Sequence, residues 1–166
     1  KGKDPEQAVQ SEANQVKSVN NAKSIGSALI SYFEEKFKMP VTDEWSDVVL
    51  SEMPTLLVFY SPQHPNTKEL KVSLPKPAKP ESVPKDKRIS HYALNKAMAG
   101  DGFEGSKVLV FECNLGWNGA GGLEDALKYI DKHKLEKIAV SLGDGRSLAV
   151  DQEELNSLSG RVPLMQ

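Results

Sequence analysis

The sequence predicts an α+β fold, with one long N-terminal α-helix packed on a small antiparallel β-sheet in a single domain spanning residues 1–166. Three observations predict it. Apolar residues recur at spacings of three and four from residue 5 to 38, short apolar runs with strand character follow between 55 and 150, and Gly143-Asp144-Gly145 supplies hairpin chemistry between the last two runs. A chain of 166 residues suits one core, and 39% hydrophobic with 27% charged residues is the balance of a folded domain rather than a disordered one.

The helix over 5–38 rests on a stripe formed by Val9, Ala13, Val16, Val19, Ala22, Ile25, Ala28, Leu29, Tyr32, Phe33 and Phe37. Asp4 is placed to cap it, Pro5 suits the first helical position because its missing N–H has no partner to lose, and Met39-Pro40 ends the run. The stripe is thin and small-residued at first, then large and aromatic. Its C-terminal half is therefore expected to pack on a core and its N-terminal half to project. At 1.5 Å per residue such a helix is about 50 Å long, more than a domain this size can cover.

A short helix is expected at 43–50, around Trp45, and "TLLVFYS" (55–61) reads as a buried strand. Residues 62–88 read as a loop-rich surface excursion, because "LPKPAKPESVPKDKR" concentrates four prolines among lysines. "ISHYALN" (89–95) and "KVLVFEC" (107–113) read as strands, and "GWNGAGG" (116–122) as a glycine-rich turn. An amphipathic helix over 123–132 follows, with Leu123, Ala126, Leu127 and Ile130 on one face. "KIAVSL" and "RSLAVD" then form a hairpin, and a last helix, 152–158, starts after an Asp151 cap.

The chemistry-bearing residues are sparse. Lys and Arg number 21 against 23 Asp and Glu, a net charge of −2, so a nucleic-acid binder working by bulk electrostatics is not expected. No apolar run approaches the roughly 20 residues that span a bilayer. The single cysteine, Cys113, excludes an intramolecular disulfide. His64, His91 and His133 lie far apart in the chain without a zinc spacing, so each is read as structural or solvated. His133 closes the 123–132 helix, where a partly protonated ring would suit the helix dipole. Ser90-His91 lacks an acid or a glycine elbow, and "GWNGAGG" lacks the Gly-Lys-Ser/Thr of a phosphate loop. Asp144 stands without a ladder of further acids and is read as a turn residue, not a calcium ligand. Tyr32, Phe33, Phe37 and Trp45 are spaced for a core. No catalytic, cofactor-binding or metal-ligating residue is assigned, and the chain is expected not to be an enzyme.

The order of blocks carries a resemblance. "NNAKSIGSALISYFEEKFKMP" (20–40), "DEWSDVV" (43–49), "LVFYSPQ" (57–63), "ISHYALNKAMAG" (89–100) and "VLVFECNLGWNGAGG" (108–122) resemble successive blocks of bacterial type IV pilin-like and pseudopilin-like proteins of the prepilin-processing-associated kind. "HKLEKIAVSLGDGRSLAV" (133–150) is similar to that family's closing stretch, in which a His precedes Asp-Gly and a final strand; here ten residues separate His133 from Asp144 where the family has nine. Ser46 and Ser61 stand where relatives often carry cysteines, so packing of Trp45 and Phe59 is expected to hold the loop instead.

The resemblance implies a non-enzymatic structural subunit of a type IV pilus or a type II secretion pseudopilus-like assembly. Such a subunit is anchored through an upstream hydrophobic half-helix. The opening "KGKDPEQ", without an initiator Met, is read as the start of a fragment that lacks that half. Expected partners are other pilin or pseudopilin subunits, envelope assembly proteins, or a host or surface ligand. Nucleic acid is not expected, and the membrane is expected only through the upstream segment. The expected location is the cell envelope, inner-membrane-anchored and facing the periplasm, or a surface filament, with the isolated domain monomeric. The alternative is an envelope binding or adhesion module that keeps the fold but does not polymerise.

Overall fold

The computed structural model describes residues 5–161 except 54, 77, 78 and 101; the expected Asp4 cap lies outside the described residues. Helix α1 (Pro5–Lys36) is a single 32-residue rod, about 48 Å long. Along it burial changes as the stripe does. Val9 and Val16 are 68% and 60% exposed, whereas Ala22, Ile25 and Leu29 are fully buried. The rod ends two residues earlier than 38. Phe37 takes a left-handed φ of 61° and its N–H donates to the Phe33 carbonyl at 2.7 Å, which swings its ring off the stripe to 83% exposure. Phe37 is therefore not a core residue. Phe33 stays on the stripe and stacks on Phe103 at 4.2 Å.

Helix α2 (Trp45–Glu52) follows, two residues later than expected, and Trp45 is its first buried anchor. The run 55–61 is not a strand. Leu56–Phe59 form one 3-10 turn, capped by Thr55, whose Oγ1 accepts from the Leu57 N–H at 3.2 Å. Its apolar residues serve a period of three: Leu56 and Phe59 are buried while Leu57 is 40% exposed. The excursion after it is loop-rich, as expected, but it contains a further helix, α3 (Thr67–Ser73), of which only Thr67 is buried.

The sheet has five strands: β1 (Tyr92–Asn95), β2 (Val108–Glu112), β3 (Ala120–Gly121), β4 (Ile138–Leu142) and β5 (Ser147–Val150), in the order β3-β1-β2-β4-β5. The β1–β2, β2–β4 and β4–β5 pairs are antiparallel, but β3 runs parallel to β1, so the sheet is mixed rather than antiparallel. The correction lies in the glycine-rich turn. After β2 the chain loops back along the free edge of β1, and two residues of that return pair with Leu94 and Asn95. Between Val108 and Val110 the β2–β4 register shifts, so the neighbours Leu109 and Val110 both face the α1 side.

Both faces of the sheet are covered, which explains the unbroken apolar runs of β2 and β4. On one side Ala22, Ile25, Ala28 and Leu29 of α1 pack with Trp45, Phe59, Leu94, Leu109 and Ala139. On the other, Ala126, Tyr129 and Ile130 of α4 (Leu123–His133) and Leu155 of α5 (Gln152–Arg161) pack on Phe111, Ile138, Val140 and Val150. Gly26 permits the closest approach of α1 to the sheet, since a Cβ there would lie 2.9 Å from the Cβ of Ser141. Asp151 caps α5 reciprocally: its Oδ1 accepts from the Glu154 N–H at 2.7 Å, and Glu154 Oε1 from the Asp151 N–H at 3.1 Å.

Candidate functional site: a buried glutamate beneath a histidine stack

Where α1 starts to bury, it meets polar groups. Glu112, the last residue of β2, is fully buried and is surrounded by donors. Its Oε1 accepts from Ser18 Oγ at 2.7 Å, Gln63 Nε2 at 3.0 Å and the Ala139 N–H at 3.1 Å. Its Oε2 accepts from Ser61 Oγ at 2.6 Å and Tyr129 Oη at 3.5 Å. One carboxyl thus ties α1, the segment after the 3-10 turn, β4 and α4 together. Burial pushes its pKa above the ordinary carboxylate range, although Ser61 and Ser18 pull it back. Tyr92 joins the cluster through Ser18 at 2.8 Å; burial and then Glu112 push its phenol well above its ordinary range.

The three histidines, distant in sequence, converge beside this carboxyl. The His64 and His91 rings stack nearly parallel, 8° apart with centroids at 4.0 Å, and His133 meets His64 at 4.8 Å. Tyr129 closes the group against His133 at 4.7 Å. Each was expected to be structural or solvated; the structure adds that they meet, because the 61–67 segment, the start of β1 and the end of α4 bring 64, 91 and 133 to one place. His91 Nδ1 accepts from the Ser61 N–H at 3.1 Å, and His64 Nδ1 from the Asn66 N–H at 3.2 Å. His91 is thereby held as an acceptor at Nδ1, with the proton of its neutral form on Nε2, while His64 Nε2 also faces the Asn114 side-chain amide at 3.4 Å.

All three imidazoles resist protonation. Burial and then His64 and His133 depress His91 to a pKa of about 3. Burial, then His133, depress His64. His133 is also depressed, by burial and Lys132, so the partly protonated ring expected at the helix C-terminus is reversed in sign. Among the described residues no group of three or more His, Cys, Asp or Glu is arranged to hold a metal ion. Cys113, buried beside Asp125, has its thiol pushed up to about 12, first by burial and then by that carboxylate, a poor setting for a nucleophile.

The other sequence candidates sit elsewhere. Ser90 Oγ donates to the Tyr92 carbonyl at 2.7 Å and makes no pair with His91. Asp144 closes its turn by accepting from the Arg146 N–H at 3.1 Å and from Arg146 Nε at 2.9 Å. Ser46 and Ser61 serve different places: Ser46 Oγ accepts from the Asn118 N–H at 3.0 Å, while Ser61 holds Glu112. Around Ser46 the glycine-rich turn docks α2. Trp45 Nε1 donates to the Gly119 carbonyl at 2.9 Å, and Asp47 accepts from Trp117 Nε1 at 3.0 Å and Asn118 Nδ2 at 2.9 Å. Phe59 packs on Trp117 at 4.6 Å and on Trp45 at 6.4 Å, as expected for a loop held by packing.

Two of the clefts among the described residues adjoin these features. One, of about 640 Å³, lies between α2 and the proline-rich excursion and is lined by Asp47, Met53, Lys79, Glu81, Lys85 and Arg88. The other, of about 360 Å³, runs between the first turns of α1 and the histidine stack, lined by Gln7, Gln10, Asn14, Gln63, His133 and Lys134. Among the described residues no helix is long and apolar enough to cross a membrane. No family model, no curated protein and no solved structure matches the chain.

Proposed function

We propose that the protein is a non-enzymatic structural subunit of a type IV pilus or a type II secretion pseudopilus-like assembly in the cell envelope. One observation carries the reading: α1 is a continuous 32-residue rod, seated on the sheet from Ser18 onward, with Val9 and Val16 left largely bare. A rod whose first turns line a cleft with one face and leave apolar side chains bare on another is suited to lie against neighbouring subunits, and in this reading it continues an apolar helix encoded upstream. The block order described above supports the same assignment. Partners are then other subunits of the assembly, met through α1, and envelope proteins met through the loops.

The test uses the full-length gene product. It should require membrane extraction and should co-fractionate with sheared surface filaments or secretion complexes. Recovery of the intact protein free in the cytoplasm would overturn the reading. The cleft beside Lys79, Lys85 and Arg88 favours a second reading, an envelope binding module with a pilin-like fold that does not polymerise. The upstream sequence separates the two: a prepilin-type cleavage site followed by about 20 apolar residues supports the filament subunit, whereas a lipoprotein or plain secretory signal supports the binding module.

A further inference from the structure

We propose that the stacked imidazoles of His64, His91 and His133 form an acid-released latch, which holds residues 61–67 against the start of β1 while the rings are neutral and frees them when the stack takes up protons. The segment is fastened through the rings themselves. The Ser61 N–H donates to His91 Nδ1 and the Asn66 N–H to His64 Nδ1, and Thr67 Oγ1 donates to the Ser61 carbonyl beside them. A proton added at either Nδ1 turns an acceptor into a donor and leaves a buried backbone N–H facing it. It also places a cation on a ring 4.0 Å from its neighbour.

The surroundings offer that cation little beyond the Asn66 side chain, which favours a charged His64 but does not outweigh burial and His133. His91 is fully buried, and its Nε2 has no hydrogen-bond partner among the described residues. Beside the rings, Tyr60 precedes the segment, and α4 contributes Tyr129 and Lys132, the latter repelling a charged His133. Helix α1 lines the adjoining cleft with Gln7, Gln10 and Asn14, and Lys134 stands at its rim. On the far side of His133, Asp125, Lys128 and Cys113 line a smaller cleft with Lys132. The nearest buried acid, Glu112, is already engaged by five donors, and burial raises its own pKa.

The sign follows from linkage. An imidazole in an opened segment takes up its proton near pH 6.5, whereas the closed stack excludes it, down to about 3 for His91. The latch is therefore fully closed above about pH 6.5, and its hold is lost as pH falls. Each histidine released raises the opening equilibrium by up to about tenfold per pH unit below that point. Opening would also withdraw Ser61 and Gln63 from Glu112 and widen the cleft along α1, so the device would couple acidity to the face that α1 presents.

Amide hydrogen exchange on this chain, corrected for intrinsic rates and compared at pH 7.5, 6.5 and 5.0, tests the latch. The opening constant for Ser61, His64, Asn66 and Thr67 should rise at least about tenfold between pH 6.5 and 5.0, with Val140 and Leu142 of β4, away from Glu112, unmoved. An unchanged segment, or loss of protection at Val140 and Leu142 in parallel, would overturn the proposal. A double variant sharpens the test. His64→Phe keeps a ring in the stack, and His91→Gln keeps an acceptor for the Ser61 N–H; a folded double variant should lose most of the acid response, and one that keeps it overturns the latch. Should the double variant not fold, proton NMR titration of the wild-type rings decides: His91 must stay neutral until the segment opens, and three independent titrations near 6.5 with the segment closed would refute it.

Discussion

Glu112 shows how one side chain can be both costly and necessary. A fully buried carboxyl is destabilising unless its oxygens are satisfied, and here five donors converge on two oxygens. Glu112→Ala should cost about 3 kcal/mol or more, because it strands Ser18, Ser61, Gln63 and the Ala139 N–H together. Glu112→Gln keeps one carbonyl oxygen, and the Ser61 and Tyr129 hydroxyls can turn to accept from the new amide, so its cost should stay near 1 kcal/mol. The glutamine form also carries a pH signature. A carboxyl whose folded pKa is raised contributes stability at acid pH, which fades as pH rises from its ordinary value through the raised one. Denaturant unfolding of Glu112→Gln from pH 4 upward should lack that decline, which opposes the histidine effect in sign. Phe37 is the converse case: an exposed aromatic in a left-handed position has strain to lose and little burial to forfeit. Phe37→Gly should raise stability by about 1 kcal/mol, seen as a higher melting temperature; a fall would mean that the ring is held by contacts in solution.

At the scale of elements, the seat of α1 depends on Gly26. In an open helix Gly→Ala is stabilising by about 1 kcal/mol, but at this position the new methyl would meet the Ser141 side chain at 2.5 and 2.9 Å. Gly26→Ala should therefore destabilise by about 1–3 kcal/mol. Adding Ser141→Gly should recover part of that loss, and a double-mutant cycle without coupling would show that α1 is seated elsewhere. The buried stripe of α1, the hairpin at 143–145 and the strands at 92–95 and 108–112 were legible in the sequence because periodicity and turn residues are local signals, whereas the Gly26–Ser141 contact was not. Three further features were not. The 3-10 turn at Leu56–Phe59 hides in an apolar run whose spacing fits a strand equally well until Leu57 is seen to be exposed. Strand β3 has only two residues inside a glycine-rich turn, too few to show alternation. The histidine stack has no motif at all: 64, 91 and 133 meet only because β1 and the end of α4 flank the 61–67 segment. Glu112 was visible as one letter in an apolar strand, "VLVFEC", and a lone acid at the end of a buried run was the available sign of a polar cluster.

For the whole molecule, the division of labour between core and surface gives the functional reading its test. Ile25 is fully buried among α1, the sheet and α2, so Ile25→Asp places an unpaired carboxylate in the core. That costs several kcal/mol, a large share of the roughly 5–15 kcal/mol that stabilises a domain, and the variant should unfold or melt far below the wild type. Lys79 is exposed on the rim of the larger cleft, on an excursion that carries seven basic and three acidic residues from 67 to 88. Lys79→Glu should leave the melting temperature within about 0.5 kcal/mol of unchanged stability, as surface substitutions usually do. If the excursion meets envelope partners, the same variant should reduce their recovery in a pull-down with full-length protein, and more so at low salt, where exposed charges are least screened. On the proposed function, Ile25→Asp should lose folding and assembly together, whereas Lys79→Glu should lose partner binding alone. A folded Ile25→Asp would overturn the α1–sheet contact. Unchanged partner recovery with Lys79→Glu at low salt would remove the excursion as a contact surface and leave assembly to the exposed half of α1.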